Sequence, residues 1–120
     1  MRLSFHSISD NEDKIFYETS YVKEDNELVF LDKTCENTTN HLIFIDDKIK
    51  LVRTGEINME MLFDLSKDTI GNYSNNMGLE FSFIIRCYNL KVTKNKILIE
   101  YNMILDEFTS STHKIWILLH

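Results

Sequence analysis

Arg53 is the residue whose type and position most clearly suggest binding chemistry. It follows Ile49 and Leu51 at two-residue spacing, and in a β-strand such residues share one face. An arginine on an apolar face must find an acceptor, and at the mouth of an enclosed interior it could bind a carboxylate or phosphate through two hydrogen bonds. The alternative is a structural arginine paired with Glu36 or with a backbone carbonyl, because buried charges are usually retained with partners of their own.

A second set of residues could form the wall of an apolar binding site. Its members are methionines and aromatic residues on predicted strands, namely Met59, Met61, Phe63, Phe81, Phe83, Tyr101, Met103 and Trp116. Methionine adapts its shape to a ligand, and Tyr101 would be a polar anchor beside Arg53. The alternative is an ordinary core, since apolar strand faces are buried in every β protein.

Catalytic and metal-binding patterns are not evident. His41, His113, Cys35 and Cys87 show neither C-x-x-C nor H-x-H spacing, so we expect no metal site and no cofactor. A nucleophilic pair of Cys87 with His113 remains an alternative, although no flanking signature supports it. The acidic residues that fall on outward strand positions or in turns are Glu18, Glu36, Glu100, Asp106 and Glu107. No two of them suggest a paired acid and base, and we therefore do not expect an enzyme. Arg86 alternates with Ser82 and Ile84 and is expected at the surface.

Length, charge and composition narrow the class of protein. A chain of 120 residues fits one domain over residues 1–120. Its net charge of -6 and its scattered lysines argue against nucleic acid as a partner. No apolar run approaches the length of a transmembrane helix, and residues 10–13 are acidic where a signal peptide would still be apolar. We expect a cytoplasmic protein whose two cysteines stay reduced and unpaired.

Two-residue alternation predicts strands along most of the chain. The predicted strands are residues 3–8, 14–23, 27–33, 41–45, 48–52, 57–65, 79–88, 97–105 and 112–119. Asp46 and Asp47 are typical of a tight hairpin turn, residues 89–92 either extend the preceding strand or begin its neighbour, and residues 66–76 form a mostly polar connection that contains Tyr73. A helix over residues 57–65 is the weaker alternative, because its apolar residues would be spread around a helix and no cap residue precedes them.

About nine to eleven short strands without a convincing helix indicate a sandwich or a closed barrel. Most connections are short, so sequential strands can be antiparallel neighbours, and closure would remove the exposed edges of the sheet. We therefore predict an up-and-down barrel of about eight to ten strands. Its interior would be filled by side chains or would hold one small ligand.

Residues between Arg53 and Tyr101 also carry a resemblance to a known family. The order Arg53-x-Gly55, Met59, Phe63, Tyr73, Gly78 and Tyr101 resembles the YwiB-like bacterial family, a domain of unknown function. The resemblance extends more weakly to residues 27–36 and to Trp116. It implies a single calycin-like β-barrel of the lipocalin and streptavidin type, and it implies no activity.

The sequence leaves two functions open. The first is a barrel that binds a small hydrophobic or anionic molecule in its lumen, with Arg53 and Tyr101 as anchors and the methionine and aromatic residues as the wall. The second is a structural or interaction barrel with a packed interior, for which a second copy of the chain is a candidate partner. A cavity of a few hundred cubic ångströms beside Arg53 would favour the first, and a filled lumen would favour the second.

Overall fold

The computed structural model describes residues 1–10 and 13–120, and its regular structure is entirely β. Asn11 and Glu12, which belong to the acidic residues 10–13 after the first predicted strand, lie outside the described residues. The strands are β1 (Arg2–Ser9), β2 (Lys14–Glu24), β3 (Glu27–Leu31), β4 (Thr39–Ile45), β5 (Lys48–Thr54), β6 (Ile57–Phe63), β7 (Thr69–Asn75), β8 (Glu80–Val92), β9 (Lys96–Ile104) and β10 (Ser110–Leu119).

The strands form one closed antiparallel barrel. Each strand pairs with its neighbours in the chain, and β1 pairs with β10 to complete the ring. Leu3 lies opposite Thr19 on one side and opposite Leu119 on the other, so none of the ten described strands presents an unpaired edge to solvent. The predicted all-β barrel is confirmed, whereas the lipocalin and streptavidin type remains a prediction.

Alternation along each strand places the apolar residues inside the barrel. The side chains that are almost completely buried include Leu3, Leu42, Ile49, Phe63, Ile99 and Ile117. Phe63 packs against Tyr101 with their ring centroids 4.9 Å apart. The middle of the barrel is therefore a packed core, and any ligand must bind toward one end.

Ile99→Val tests how tightly this core is packed. Ile99 is 0% exposed, so loss of one methylene leaves a small void and should lower the free energy of unfolding by about 0.5–1.5 kcal/mol. Ile70→Val is the matched control, because Ile70 is 70% exposed and its change should stay within about 0.5 kcal/mol. Urea unfolding of both variants measures the difference, and equal losses would contradict a packed interior.

Strand β6 is confirmed, but it ends earlier than its apolar alternation predicts. The strand stops at Phe63, and the Asp64 carboxylate accepts hydrogen bonds from the backbone N–H of Ser66 at 2.9 Å and from its hydroxyl at 2.6 Å. This turn buries Asp64 and leaves Leu65 54% exposed, the reverse of what the alternation predicts. A local side-chain hydrogen bond therefore overrides the apolar pattern at this position.

Strand β7 was missed by the sequence pattern, which predicts only a polar connection there. The segment Thr69–Asn75 pairs with both β6 and β8. Gly71 and Tyr73 face inward. The ring of Phe83 lies so close to Gly71 that a Cβ atom added to this glycine would lie 2.4 Å from the ring. Neighbouring strands supply the hydrogen bonds here, so a largely polar segment adopts the strand conformation.

Strand β8 continues through residues 89–92, one of the two predicted alternatives. A register shift between Cys87 and Asn89 marks a bulge, which turns a strand and changes the residues that face inward.

Cys87 is buried and Cys35 is partly buried, and both are free thiols, as predicted. Within the described part of the chain, no helix is long and apolar enough to cross a membrane.

Candidate functional site

A cavity of about 230 Å³ opens at the end of the barrel where β5 ends. Its lining residues are Phe5, Ser7, Ile15, Tyr17, Asp32, Thr34, Asn40, Leu51, Arg53, Met59, Met61, Tyr101, Met103, His113 and Ile115. Leu51, Met61 and Tyr101 are buried at its floor, whereas Ile15 and Thr34 are exposed at its rim. The cavity therefore leads from the packed core to one end of the barrel.

Arg53 and Asp32 form a buried ion pair in this cavity. The Nη2 atom of Arg53 donates to Oδ2 of Asp32 at 2.6 Å, and only 19% of the arginine side chain and 6% of the aspartate side chain are exposed. The structural partner of Arg53 is thus Asp32 and not Glu36, one of the two alternatives considered from the sequence. The arginine faces inward, as the period of β5 predicts.

The connection from β3 to β4 holds Asp32 in place. The Asp32 carboxylate accepts hydrogen bonds from the Thr34 hydroxyl at 2.5 Å and from the Thr34 backbone N–H at 2.9 Å, and the Asp32 N–H donates to the Thr38 carbonyl at 2.9 Å. Burial raises the pKa of the Asp32 carboxyl, but the Thr34 hydrogen bonds and the Arg53 charge outweigh that effect and lower it below its ordinary value. Asp32 is therefore ionised at neutral pH.

Two tyrosines add phenol hydroxyls to the same cavity. Tyr17 stacks on Phe5 at 4.9 Å, and its hydroxyl accepts a hydrogen bond from the Asn40 amide at 3.3 Å. Desolvation by burial raises the pKa of Tyr17, with a further contribution from the Asp32 charge. Burial likewise raises the pKa of Tyr101, against a smaller opposing effect of Arg53. Both phenols therefore remain protonated at neutral pH and can donate.

His113 lies at the rim and covers Tyr101. The two rings stack with centroids 5.1 Å apart, and Nε2 of His113 forms a 2.6 Å hydrogen bond with the Ser111 hydroxyl. Desolvation lowers the pKa of His113, and the charge of Asp10 opposes that shift only in part. The imidazole is therefore neutral at pH 7.

The Nε atom of Arg53 is an unsatisfied polar group on a residue that lines the cavity. It is buried and has no hydrogen-bond partner among residues 1–10 and 13–120. A buried donor without an acceptor costs about 1–3 kcal/mol, and a bound molecule that offers an acceptor would recover that loss. The geometry thus provides a fixed guanidinium, two phenol hydroxyls and an adaptable wall of methionines.

The structure brings together five of the nine residues proposed for a site and separates the other four. Arg53, Met59, Met61, Tyr101 and Met103 line the cavity. Phe63 and Phe83 are buried in the packed core. Phe81 stacks on Tyr73 at 4.9 Å and lines a shallower groove of about 580 Å³, which also includes Arg53 and Met59. Most of that groove is formed by partly or fully exposed residues, so the smaller cavity is the better enclosed site.

Trp116 does not line the interior, contrary to the expectation from the sequence. It lies on the outer surface between the inward-facing Ile115 and Ile117. Its indole stacks on His6 at 4.8 Å with an interplanar angle of 6°, and the Lys114 ammonium lies 5.1 Å from the ring centroid. Residues 115–119 are apolar on both faces, so alternation alone could not assign the inward side.

The remaining candidates have other partners. The Cys87 thiol donates to the Asn89 carbonyl at 3.6 Å, and burial raises its pKa, which disfavours a nucleophilic thiolate. Arg86 is exposed, as predicted, and binds Asp68 through two hydrogen bonds. In the described residues, no group of three His, Cys, Asp or Glu side chains is placed to hold a metal ion.

Sequence reasoning missed the polar residues that complete the cavity. These are Ser7, Tyr17, Asp32, Thr34 and Asn40, whereas His113 was considered only as a metal ligand or as the partner of Cys87. The positions of Tyr17 and Asn40 on strands carry a usable signal, since a polar residue in phase with an inward face predicts a buried hydrogen bond. Asp32 carries no such signal, because it lies just after β3 and reaches Arg53 only through the fold.

The fold and the cavity define an antiparallel ten-stranded β-barrel with a packed centre and a polar cavity at one end. The sequence matches the family described as "Domain of unknown function (DUF1934)" over residues 6–117, and the chain belongs to this family. The barrel is also similar to the crystal structure of the ywiB protein from Bacillus subtilis, with a TM-score of 0.65 and 14% identity. That match covers 99% of this chain and 90% of the other, and at this identity it shows the fold alone. No curated protein matches the chain.

Proposed function

We propose that the protein binds a small, partly apolar molecule in the cavity beside Arg53. The observation that carries the proposal is a 230 Å³ space lined by Arg53, whose buried Nε atom has no partner in the described residues. That volume corresponds to roughly eight water molecules at about 30 Å³ each, so the ligand is smaller than a typical drug. The methionine side chains form a wall that can adjust to its shape.

The alternative is a structural or interaction barrel that holds no ligand. It is favoured by the Asp32 ion pair, which already gives Arg53 a structural partner, and by the aromatic row on the outer surface. In that row His6 contacts Phe16 on one side and Trp116 on the other, and Phe16 is 60% exposed. A second copy of the chain remains the candidate partner for this alternative.

Native mass spectrometry of the protein purified from its own host tests the two functions together. A co-purifying small molecule would support binding, and the same spectrum reports the oligomeric state. A panel of fatty acids and acidic metabolites, extended to uncharged compounds of similar size, would then be screened for a rise in melting temperature. A protein that carries nothing and that no compound stabilises would contradict the proposal.

Met103→Trp should block the cavity and weaken binding at least about tenfold, because the larger ring occupies space that the ligand needs. The readout is the concentration dependence of the melting-temperature rise, measured with the compound that gives the largest rise in the screen. Met77→Trp is the matched control, since Met77 is 90% exposed and does not line the cavity. Unchanged binding by the Met103 variant would place the ligand elsewhere.

A further inference from the structure

We infer that the cavity selects an uncharged ligand whose polar head accepts hydrogen bonds, such as a carboxamide, in preference to the corresponding carboxylate anion. The inference rests on the proposed function, because it concerns the ligand of the same cavity. It follows from the charges around the cavity, from the free donors and from the contacts that already occupy Asp32.

Charge around the cavity is balanced before any ligand enters. Arg53 and Asp32 carry opposite charges and are joined at 2.6 Å. His113 is the third group among the lining residues that can become charged near neutral pH, and its burial favours the neutral imidazole. Asp10 lies near enough to act on His113 and adds negative charge at the rim. An anion would therefore enter a site with no net positive charge.

Hydrogen-bonding capacity, in contrast, is not balanced. The Arg53 Nε–H has no acceptor in the described part of the chain. The Tyr17 hydroxyl accepts from Asn40, so its own proton is available to a ligand. The Tyr101 hydroxyl makes no hydrogen bond to another described residue, and Tyr101 lines the same cavity. The site thus offers donors and requires an acceptor.

Asp32 is the main acceptor nearby, and its capacity is largely used. Its Oδ1 accepts from the Thr34 N–H and hydroxyl, and its Oδ2 accepts from Arg53. A carboxylate has about four lone-pair positions, so little remains for a cationic or donor-rich ligand. A ligand carbonyl satisfies the free donors without adding charge.

A carboxylate ligand would satisfy the same donors at a higher cost. It would have to leave water for a site where the only full positive charge among the lining residues already pairs with Asp32. The free-energy cost of desolvating an ion is recovered only when the ion gains a charged partner of its own. A neutral carbonyl loses much less hydration. The difference should therefore appear directly as a preference between two molecules with the same apolar body.

Matched pairs of amide and acid test this preference at pH 7, with benzamide against benzoate and hexanamide against hexanoate as probes. Titrations would be followed by NMR of methyl groups in ¹³C-methyl-methionine protein. Met59, Met61 and Met103 line the cavity, whereas the exposed Met1 and Met77 do not and serve as internal references. We expect the amide of each pair to shift the three cavity methyl signals at a concentration at least about tenfold lower than the acid does.

Asp32→Asn supplies the second arm, because it removes the negative charge and keeps the size of the side chain. Arg53 then has no charged partner, and affinity for the carboxylate should rise at least about tenfold relative to the amide. Glu18→Gln is the control for the loss of one negative charge, since the Glu18 side chain is exposed on the outer surface and Glu18 does not line the cavity. Its preference should equal that of the unmodified protein.

The outcomes separate the inference from the proposed function. Equal or stronger binding of the acids by the unmodified protein would overturn the uncharged-ligand inference and leave binding in the cavity intact. Selective cavity shifts with the amides, reversed toward the acids in Asp32→Asn, would support both. No movement of the cavity methyl signals with any probe, in either protein, would overturn both.

Discussion

Replacing Arg53 with Met is expected to lower the free energy of unfolding by about 3–5 kcal/mol. The change leaves the Asp32 carboxylate, whose side chain is 6% exposed, without its charged partner, and breaking a buried ion pair by removing one member typically costs that much. Urea unfolding followed by circular dichroism measures the loss. A change below about 1 kcal/mol would show that the ion pair contributes little to the fold.

The double variant Arg53→Met, Asp32→Asn is the matched control. It removes both charges, and the amide oxygen of the introduced asparagine would still accept the hydrogen bond that the Thr34 N–H gives to Asp32. Because replacing a whole buried ion pair is often close to neutral, we expect the double variant to recover most of the lost stability. A loss equal to that of the single variant would assign the effect to the packing of the arginine stem instead.

The effect of Arg53→Met should also depend on pH. The folded-state pKa of Asp32 is depressed relative to about 3.9 in an unfolded chain. Such a group contributes stability that is fully present above the unfolded pKa and is lost as pH falls through the folded pKa. Loss of Arg53 removes part of the lowering of the Asp32 pKa. The difference in unfolding free energy between the unmodified protein and Arg53→Met should therefore be largest above about pH 4 and should narrow in acid.

Stability and binding together decide the role of Arg53. Lost ligand affinity with little change in stability would mark the arginine as a binding residue. Lost stability alone would mark a structural ion pair. Loss of both is the result expected if Arg53 serves Asp32 and the ligand at once, and the double variant would then be stable and unable to bind.

Gly55→Ala should destabilise the protein by at least about 3 kcal/mol. Gly55 has φ of +138°, which L side chains rarely adopt, and a Cβ there would lie 1.8 Å from the backbone oxygen of Asn37. Backbone strain contributes about 1–3 kcal/mol, and overpacking adds a cost of similar size. Thermal and urea unfolding both measure the loss.

Gly78→Ala separates these two contributions. Gly78 also has positive φ, at +89°, but beyond Gly78 and its two chain neighbours no atom of the described residues lies within 4 Å of the position that a Cβ would take. Only strain remains, so its loss should be about 1–2 kcal/mol. Equal losses at both glycines would contradict a steric role for Gly55.

The close approach of the Asn37 backbone to position 55 explains why this chain has a glycine two residues after Arg53. The backbone at Asn37 and Thr38 lies against Gly55, and the Thr38 carbonyl in turn binds the N–H of Asp32. Gly55 thus lets the connection after β3 lie across the turn after β5, which brings Asp32 to Arg53. A larger residue at position 55 should therefore disturb the cavity as well as the fold.

Much of the barrel wall was predictable from the sequence, because strands alternate with a fixed period of two residues. In β5 and β6 most apolar residues fall on one face, with Val52 and Leu62 as exceptions, and Arg53 is in phase with Ile49 and Leu51. Burial of Ile49, Leu51 and Met61 follows that phase. The pattern is reliable wherever one face is apolar and the other is polar.

Where both faces of a strand have the same character, periodicity cannot decide which face points into the barrel. Residues 115–119 are apolar throughout, and only pairing of β10 with β1 and β9 places Trp116 opposite His6 and Leu98 on the outside. Most side chains of the segment that forms β7 are polar, so the pattern marks no inward face there. Its strand conformation depends on pairing with β6 and β8.

The sequence by itself determined an all-β chain, the inward position of Arg53 and the methionines that can form a wall, because these follow from local alternation. Tertiary structure alone decided that Asp32, twenty-one residues earlier in the chain, neutralises Arg53 and that one end of the barrel is left open. The pairings of β4 with β3 and with β5, together with the turn at Gly55, bring these residues together. No local sequence pattern records a contact between residues so far apart in the chain.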